Sequence, residues 1–320
     1  MFVMSNILRS VTRTPESRFR CISFCRENEK YISLLSKCNC DIYVVRQEGL
    51  SDWKNSISPA PDNVFVLNTD LHSCSVSYFD FVLCHGRLQE FDAANNISAS
   101  LHIPLITIDH VSKRIFQKIP LHTSVNPSNY LEGRVGKVNV ALSEDIKTSW
   151  TSATHGISIT IPTFVGEDSF ETKEDRKGFL FDNNVPSQSI SPMENIFSSF
   201  NCTPRFHQDK AEKPGDFKYY INTWNNIDNK TLEAMAASCI CISPKTPETE
   251  QVITHGENGL LYSGMSDLNQ IMTECKSGKW DSIGSNSKEY ILNNHADEKT
   301  FIDKWKKVFS YASSSFFMGN

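Results

Sequence analysis

The sequence predicts an α/β protein made of two halves, each a mostly parallel sheet flanked by helices. Three observations carry that expectation. Short β-branched and aromatic runs alternate with helix-length segments along most of the 320 residues; the rhythm breaks once, in the charged stretch IPTFVGEDSFETKEDRK at 161–177; and it then resumes. Strands that alternate with helices favour parallel pairing, because a crossover long enough to join parallel strands is most often a helix.

In the first half, strands are expected at 19–25, 41–45, 63–67, 79–84, 104–108, 138–142 and 157–161, with helices at 28–38 and 88–101. Within the second helix Phe91, Ala94, Ile97, Ser98 and Leu101 recur near helical spacing and give one face to lay on a sheet. In the second half, strands are expected at 178–181, 217–223 and 239–243, with helices at 192–200, 229–237, 287–294 and 298–313. Asp297 is a candidate N-cap for the last of these, and Phe301, Trp305, Val308 and Phe309 form an apolar stripe that needs a surface to cover. The expected domains are 1–165, 166–300 and a terminal helix at 301–320 that packs back on the first.

Composition narrows the function classes. Thirty-two basic against 37 acidic residues give a net charge of −5, which supplies no general attraction to phosphate backbones, so no nucleic-acid partner is expected. No apolar run approaches the ~20 residues needed to span a bilayer, so no transmembrane segment is expected and peripheral membrane contact stays open. The start, MFVMSNILRSVTRTPESR, has polar residues too early for the apolar centre of a secretory signal, and the expected location is cytoplasmic. Ten cysteines lack paired CxxC spacing or histidine partners; they read as buried thiols, with no metal assigned. Neither G-x-G-x-x-G nor G-x-x-x-x-G-K-[ST] occurs, which removes the dinucleotide fingerprint and the P-loop.

The loops after the strands are then the places to search, since open parallel sheets bind ligands at the carboxyl ends of their strands. The strand near 219–223 runs through a polar loop into the helix TLEAMAA, with Asp228 or Asn229 as its cap. A helix start presents free N–H groups and a positive dipole end to an anion, and Glu233, read here as lying in the first turns, can accept hydrogen bonds from a diol. A ribose diphosphate satisfies both; a carboxylate that merely favours the helix dipole is the plainer alternative.

Those residues carry a resemblance. TLEAMAASCICIS at 231–243 followed by ETEQVITHGENGLLY at 248–262 resembles the nucleotide-sugar half of the GT-B glycosyltransferases, in particular the family 4 group of retaining enzymes. FDFVLCHGRLQEFDAANNISASLHIPLITIDH at 79–110 is similar to that family's pair of strands ending in histidines. The resemblance implies two facing Rossmann-like domains with an interdomain cleft. It implies Glu233 at the donor's ribose, with Asn225, Asn229, Thr231 and Glu250 in the nucleotide-sugar site and Gly256, Asn258 and Gly259 in the later word. It also implies His110 and His85 as the catalytic candidates facing the cleft. Four other histidines, His102, His155, His207 and His255, are read as surface or core residues.

The chain departs from the family at two sets of glycines, one replaced by Asn226, Ile227 and Asp228 and the other not recognisable in a loop near 23–27, and at two positions that carry charge in the family. Asn225 stands where the first glutamate of E-x7-E is usual, and Asp182-Asn183-Asn184 stand where the family has the Arg and Lys that neutralise the leaving diphosphate. Arg26, Arg87 and Lys245 are the candidate replacements. The implied reaction moves a hexose from a nucleoside diphosphate sugar to a glycan, lipid-linked or other hydroxyl acceptor, with retention, no metal and no cofactor beyond the donor. Its competitor is a non-catalytic binding or assembly subunit that keeps the same shell, and a third reading is another GT-B enzyme of the epimerase or phosphorylase kind.

Overall fold

A computed structural model describes residues 17–24, 28–45, 52–55, 57–67, 79–87, 89–117, 131, 133–150, 156–182, 193–205 and 213–315. The chain divides into two compact units, 1–162 with 299–320, and 163–298.

Among the described residues the first unit holds seven strands: β1 (Phe19–Phe24), β2 (Cys40–Val45), β3 (Val64–Leu67), β4 (Phe81–Cys84), β5 (Leu105–Asp109), β6 (Val138–Ala141) and β7 (Ile157–Thr160). Every pairing is parallel, in the order β3-β2-β1-β4-β5-β6-β7. The central strands β4, β5 and β6 are buried along their whole length; β4 reads as a continuous apolar run, while β5 and β6 carry Thr107 and Asn139, whose side chains meet inside the sheet, where the Thr107 hydroxyl donates to Asn139 Oδ1. From β1 the chain builds outward through β2 and β3, then returns to the other side of β1 with β4. The switch of direction falls between the carboxyl ends of β1 and β4.

Helices α1 (Glu29–Ser36), α2 (Gln89–Leu101), α3 (Lys113–Gln117) and α4 (Glu144–Trp150) connect these strands, and α9 (Glu298–Ser315) closes the unit. Phe301, Trp305, Val308, Phe309 and Ala312 bury one stripe of α9 at spacings of three and four. The Phe309 ring stacks on Phe81 at 4.7 Å and lies 5.8 Å from Phe19, so the stripe closes over β1 and β4.

The second unit holds β8 (Lys177–Asp182), β9 (Thr203–Arg205), β10 (Phe217–Ile221), β11 (Ile240–Pro244) and β12 (Leu260–Tyr262), all parallel, in the order β12-β11-β10-β8-β9. From β8 the chain goes first to β9 on one side and then to β10 on the other, which puts this sheet's switch between β8 and β10. Its helices are α5 (Glu194–Ser199), α6 (Asn229–Ala236), α7 (Met265–Lys276) and α8 (Ile283–His295).

The charged stretch where the alternation breaks is packed into this unit from Thr163 onward. The Val165 N–H donates to the His295 carbonyl at 2.8 Å, Val165 is buried, and Lys288 Nζ donates to the Phe170 carbonyl. Its few apolar residues are used as core, whatever the charge around them. The structure also adds β9, β12 and α7 here, and α3 and α4 in the first unit, which the strand and helix expectations omitted. The eight described cysteines are free thiols, seven of them buried. Among the described residues no group of three or more His, Cys, Asp or Glu side chains is placed to hold a metal ion, and no helix is long and apolar enough to cross a membrane.

Candidate functional site

In the second unit the loop after β10 lies at the sheet's switch and leads into α6. Two side-chain bonds stiffen it: Asn222 Nδ2 donates to the Asn226 carbonyl at 2.8 Å, and Asn222 Oδ1 accepts from the Trp224 N–H at 2.9 Å. Thr246 Oγ1, arriving from the loop after β11, donates to the Asn225 carbonyl at 3.1 Å. On this fixed turn Trp224 stands 42% exposed beside the exposed Asn225. Asn225 is therefore presented to solvent at the ligand end of the sheet, and Trp224 is an unanticipated neighbour.

Asp228 is the N-cap of α6, with Oδ1 accepting from the Thr231 N–H at 2.9 Å and from Thr231 Oγ1 at 2.8 Å. Thr231 is wholly buried, so both of its donors close the cap and none is left for a ligand, a correction to its expected place in the donor site. Asn229 is the first residue of α6 after the cap, where helix N–H groups have no partner within the helix. Replacing Asp228 with alanine removes both bonds and lowers stability by about 1 kcal/mol in a denaturant titration; asparagine retains most of it, and an unchanged midpoint for alanine would show that the cap contributes nothing.

Glu233 is the fifth residue of α6, within its first two turns, and is half-buried between the buried Leu232 and Ala234. The small residues of Glu233-Ala234-Met235-Ala236-Ala237 have a packing reason: Ala234, Ala236 and Ala237 are buried against the sheet with Cys239, Cys241 and Ile291.

The later word of the resemblance is mainly a turn. Gly256 has φ +79°, and the Gly256 N–H donates to the Gly259 carbonyl at 2.8 Å. A Cβ on Gly259 would lie 3.0 Å from the Cys241 carbonyl. Asn258 accepts from the Thr254 N–H and donates to the Val252 carbonyl. His255 Nδ1 accepts from the Leu261 N–H, so these residues deliver β12 to the sheet. Glu250 stands 3.6 Å from Lys245, both well exposed. Glu250 thus faces the lysine that was a candidate for the diphosphate.

In the first unit the carboxyl ends of β1, β4 and β5 bring together Ser23, His85 and His110. Ser23 Oγ lies 3.1 Å from His85 Nε2, and His85 Nδ1 lies 3.3 Å from His110 Nε2. Tyr31 of α1 meets both imidazoles edge-on, with centroids 5.9 and 5.1 Å away, and is itself met by Phe301 and Trp305 of α9. Burial lowers the His110 pKa to about 4; burial, then the neighbouring His110, holds His85 well below the ordinary imidazole value. Both rings are neutral at neutral pH, which leaves the chain two proton arrangements. Either Ser23 donates to His85 and His85 to His110, or every hydrogen bond runs the other way and His110 keeps a lone pair at Nδ1.

Sequence reasoning found the two histidines but not Ser23 or Tyr31. It also mistook Arg87 for a candidate diphosphate cation. Arg87 is 0% exposed and clamps Asp109 through two bonds, Nε to Oδ1 at 2.8 Å and Nη2 to Oδ2 at 2.7 Å, so its charge is already matched inside the protein. Arg26, His155, His207, Asn183 and Asn184 lie outside the described residues. His102 sits in the turn between α2 and β5 with φ +50°, away from the histidine pair's strand ends.

No family model matches the sequence, and no curated protein matches it. Solved structures do. HepE of Anabaena, in complex with UDP-glucose, is 12% identical with a TM-score of 0.65, over 93% of this chain and 100% of that one. Sucrose-phosphate synthase of Thermosynechococcus elongatus is 8% identical with a TM-score of 0.65, over 93% and 100%. The apo form of WaaB, a lipopolysaccharide outer core galactosyltransferase, is 13% identical with a TM-score of 0.54, over 92% and 99%. The chain has the GT-B fold of these glycosyltransferases.

Proposed function

We propose that this protein is a glycosyltransferase that moves a hexose from a nucleoside diphosphate sugar to a hydroxyl of a glycan, lipid-linked or other acceptor, in the cytoplasm, with retention and without a metal. The observation that supports it most directly is the placement of Glu233, Asn225 and the start of α6 at the switch point of the second sheet, on a fold whose solved examples include HepE bound to UDP-glucose. In this reading Glu233 accepts the ribose hydroxyls, the Asn229 N–H meets the diphosphate, and Asn225 hydrogen-bonds the sugar. The neutral His85 and His110 orient hydroxyls rather than supply charge. The bond from the anomeric carbon to the β-phosphate oxygen breaks, one to the acceptor oxygen forms, and the acceptor's proton leaves with the diphosphate.

A non-catalytic binding subunit is the second reading. It is favoured by the Asp228 carboxylate at the start of α6 and by the pairing of both candidate cations, Arg87 and Lys245, with acids, since a leaving diphosphate needs positive charge that is not already matched.

A thermal-shift panel of nucleoside diphosphate hexoses tests donor binding. At least one raises the Tm, and Glu233→Ala weakens that ligand by about 10–100-fold, the loss expected for hydrogen bonds to a carboxylate. Binding that survives the substitution removes Glu233 from the ribose. Donor hydrolysis unaffected by a chelator supports the metal-free reading, and hydrolysis that stops overturns it; binding with no turnover selects the second reading.

A further inference from the structure

Arg87 lies two residues beyond His85, and Asp109 immediately precedes His110. We propose that the buried Arg87–Asp109 ion pair is a positioning brace that fixes the hydrogen bond between His85 and His110; its role in turnover rests on the reading above.

Four observations converge on it. The pair is bidentate and nearly inaccessible, with Arg87 0% and Asp109 4% exposed. Gly86 takes φ +143°, a conformation side-chain-bearing residues rarely adopt, and this lets Arg87 turn back after His85. The Arg87 guanidinium lies 4.0 Å over the Trp150 ring, and Trp150 Nε1 donates to the Val111 carbonyl at 3.1 Å, which ties the turn after β5 to the same support. On the other side Arg134 Nη1 donates to the Arg87 carbonyl at 3.1 Å. The bend 85–87 and the turn 109–111 are thus joined by one fork, and the contact they share at their mouths is the histidine pair.

Stability alone explains such a pair poorly. Desolvating two charges consumes most of their attraction, and apolar side chains of similar volume commonly serve as well. What apolar groups lack is the planar, two-bond geometry that fixes one strand end against the next.

The test uses the full-length protein and two variants, Arg87→Met/Asp109→Leu, which leaves no orphaned charge, and Asp109→Asn, which keeps the shape. Long-range proton–nitrogen correlation spectra of the imidazoles give the first readout. The wild type shows one fixed tautomer for each ring, and both variants show averaged ones. In turnover, kcat falls about 10–100-fold in the double variant while KM for the nucleotide sugar stays within about twofold, and Arg87→Lys with Asp109 intact recovers only part. A folded double variant with wild-type tautomers overturns the brace; if that variant does not fold, wild-type tautomers in Asp109→Asn overturn it equally. A protein with no transferase activity leaves the tautomer result standing and brings down only the functional reading.

Discussion

Trimming Trp305 to alanine lowers the free energy of unfolding by about 3–5 kcal/mol, the range for emptying a large aromatic site in a core that cannot collapse around it. Trp305 is fully buried, with the rings of Phe309 5.3 Å, Tyr31 6.4 Å and Phe301 6.5 Å away, so α9 carries the indole into a closely packed aromatic group against α1. Trp305→Phe keeps an aromatic ring against the same neighbours and loses less than half as much. Equilibrium urea unfolding followed by circular dichroism measures both. A midpoint shift near zero for alanine would mean that α9 is only loosely docked, contrary to the stacking of Phe309 on Phe81. The same substitution loosens Tyr31, so the variant's histidine spectra broaden even at temperatures where it is fully folded.

How much of this was readable beforehand depends on whether the determining contact is local. Strand β4 was legible because a strand buried on both faces favours an unbroken apolar run, here Phe81-Val82-Leu83-Cys84. The stripe on α9 was legible because its period is set by the helix itself. By contrast β9 and β12 are three residues each, too short to show any period. Helix α7 carries Leu268, Ile271, Met272 and Cys275 at helical spacing, a pattern that could have been found.

The sites divide in the same way. A histidine that ends an apolar strand stands out in a sequence, whereas Ser23 is one more small residue in a strand, and nothing local says that it meets a ring 62 residues on. Arg87 was misread because its partner is 22 residues away: a cation near a candidate site looks available until the carboxylate that holds it is seen. Glu233 was placed by local signals alone: the cap at Asp228 fixes where its helix starts, and the count from there puts it within the first two turns. The G-x-N-G word was recognisable for reasons that turn out to be steric, since Gly256 needs a positive φ and Gly259 has no room for a Cβ.

Lowering the pH from 7 to 5 destabilises the protein, and the histidine pair sets the slope. The folded-state pKa of His110 is about 4 and that of His85 is also well below the ordinary imidazole value, both chiefly through burial. In the unfolded chain both titrate near ~6.5. The unfolded state therefore binds more protons than the native one below that value, and stability falls as the pH drops from about 6.5, until at about 4 the folded His110 also takes its proton. For His110 the full loss approaches ~3 kcal/mol, at 1.36 kcal/mol per pKa unit, and His85 adds to it in the same direction. His295, held down by burial against a smaller opposing bond to the Thr163 carbonyl, contributes with the same sign. Glu144 and Asp281, whose folded pKa values are depressed by hydrogen bonds to Thr160 and Lys218 respectively, also lose stabilisation on acidification, but only in the carboxylate range below about pH 5. The interval from pH 6.5 to 5 thus isolates the imidazoles. Urea unfolding across that interval in the wild type and in His85→Phe/His110→Phe separates their share: the variant's free energy of unfolding changes with pH by less than half as much. Equal slopes in the two proteins would place the pair in contact with water, and its neutrality, on which its role as a hydroxyl-orienting chain depends, would then fail.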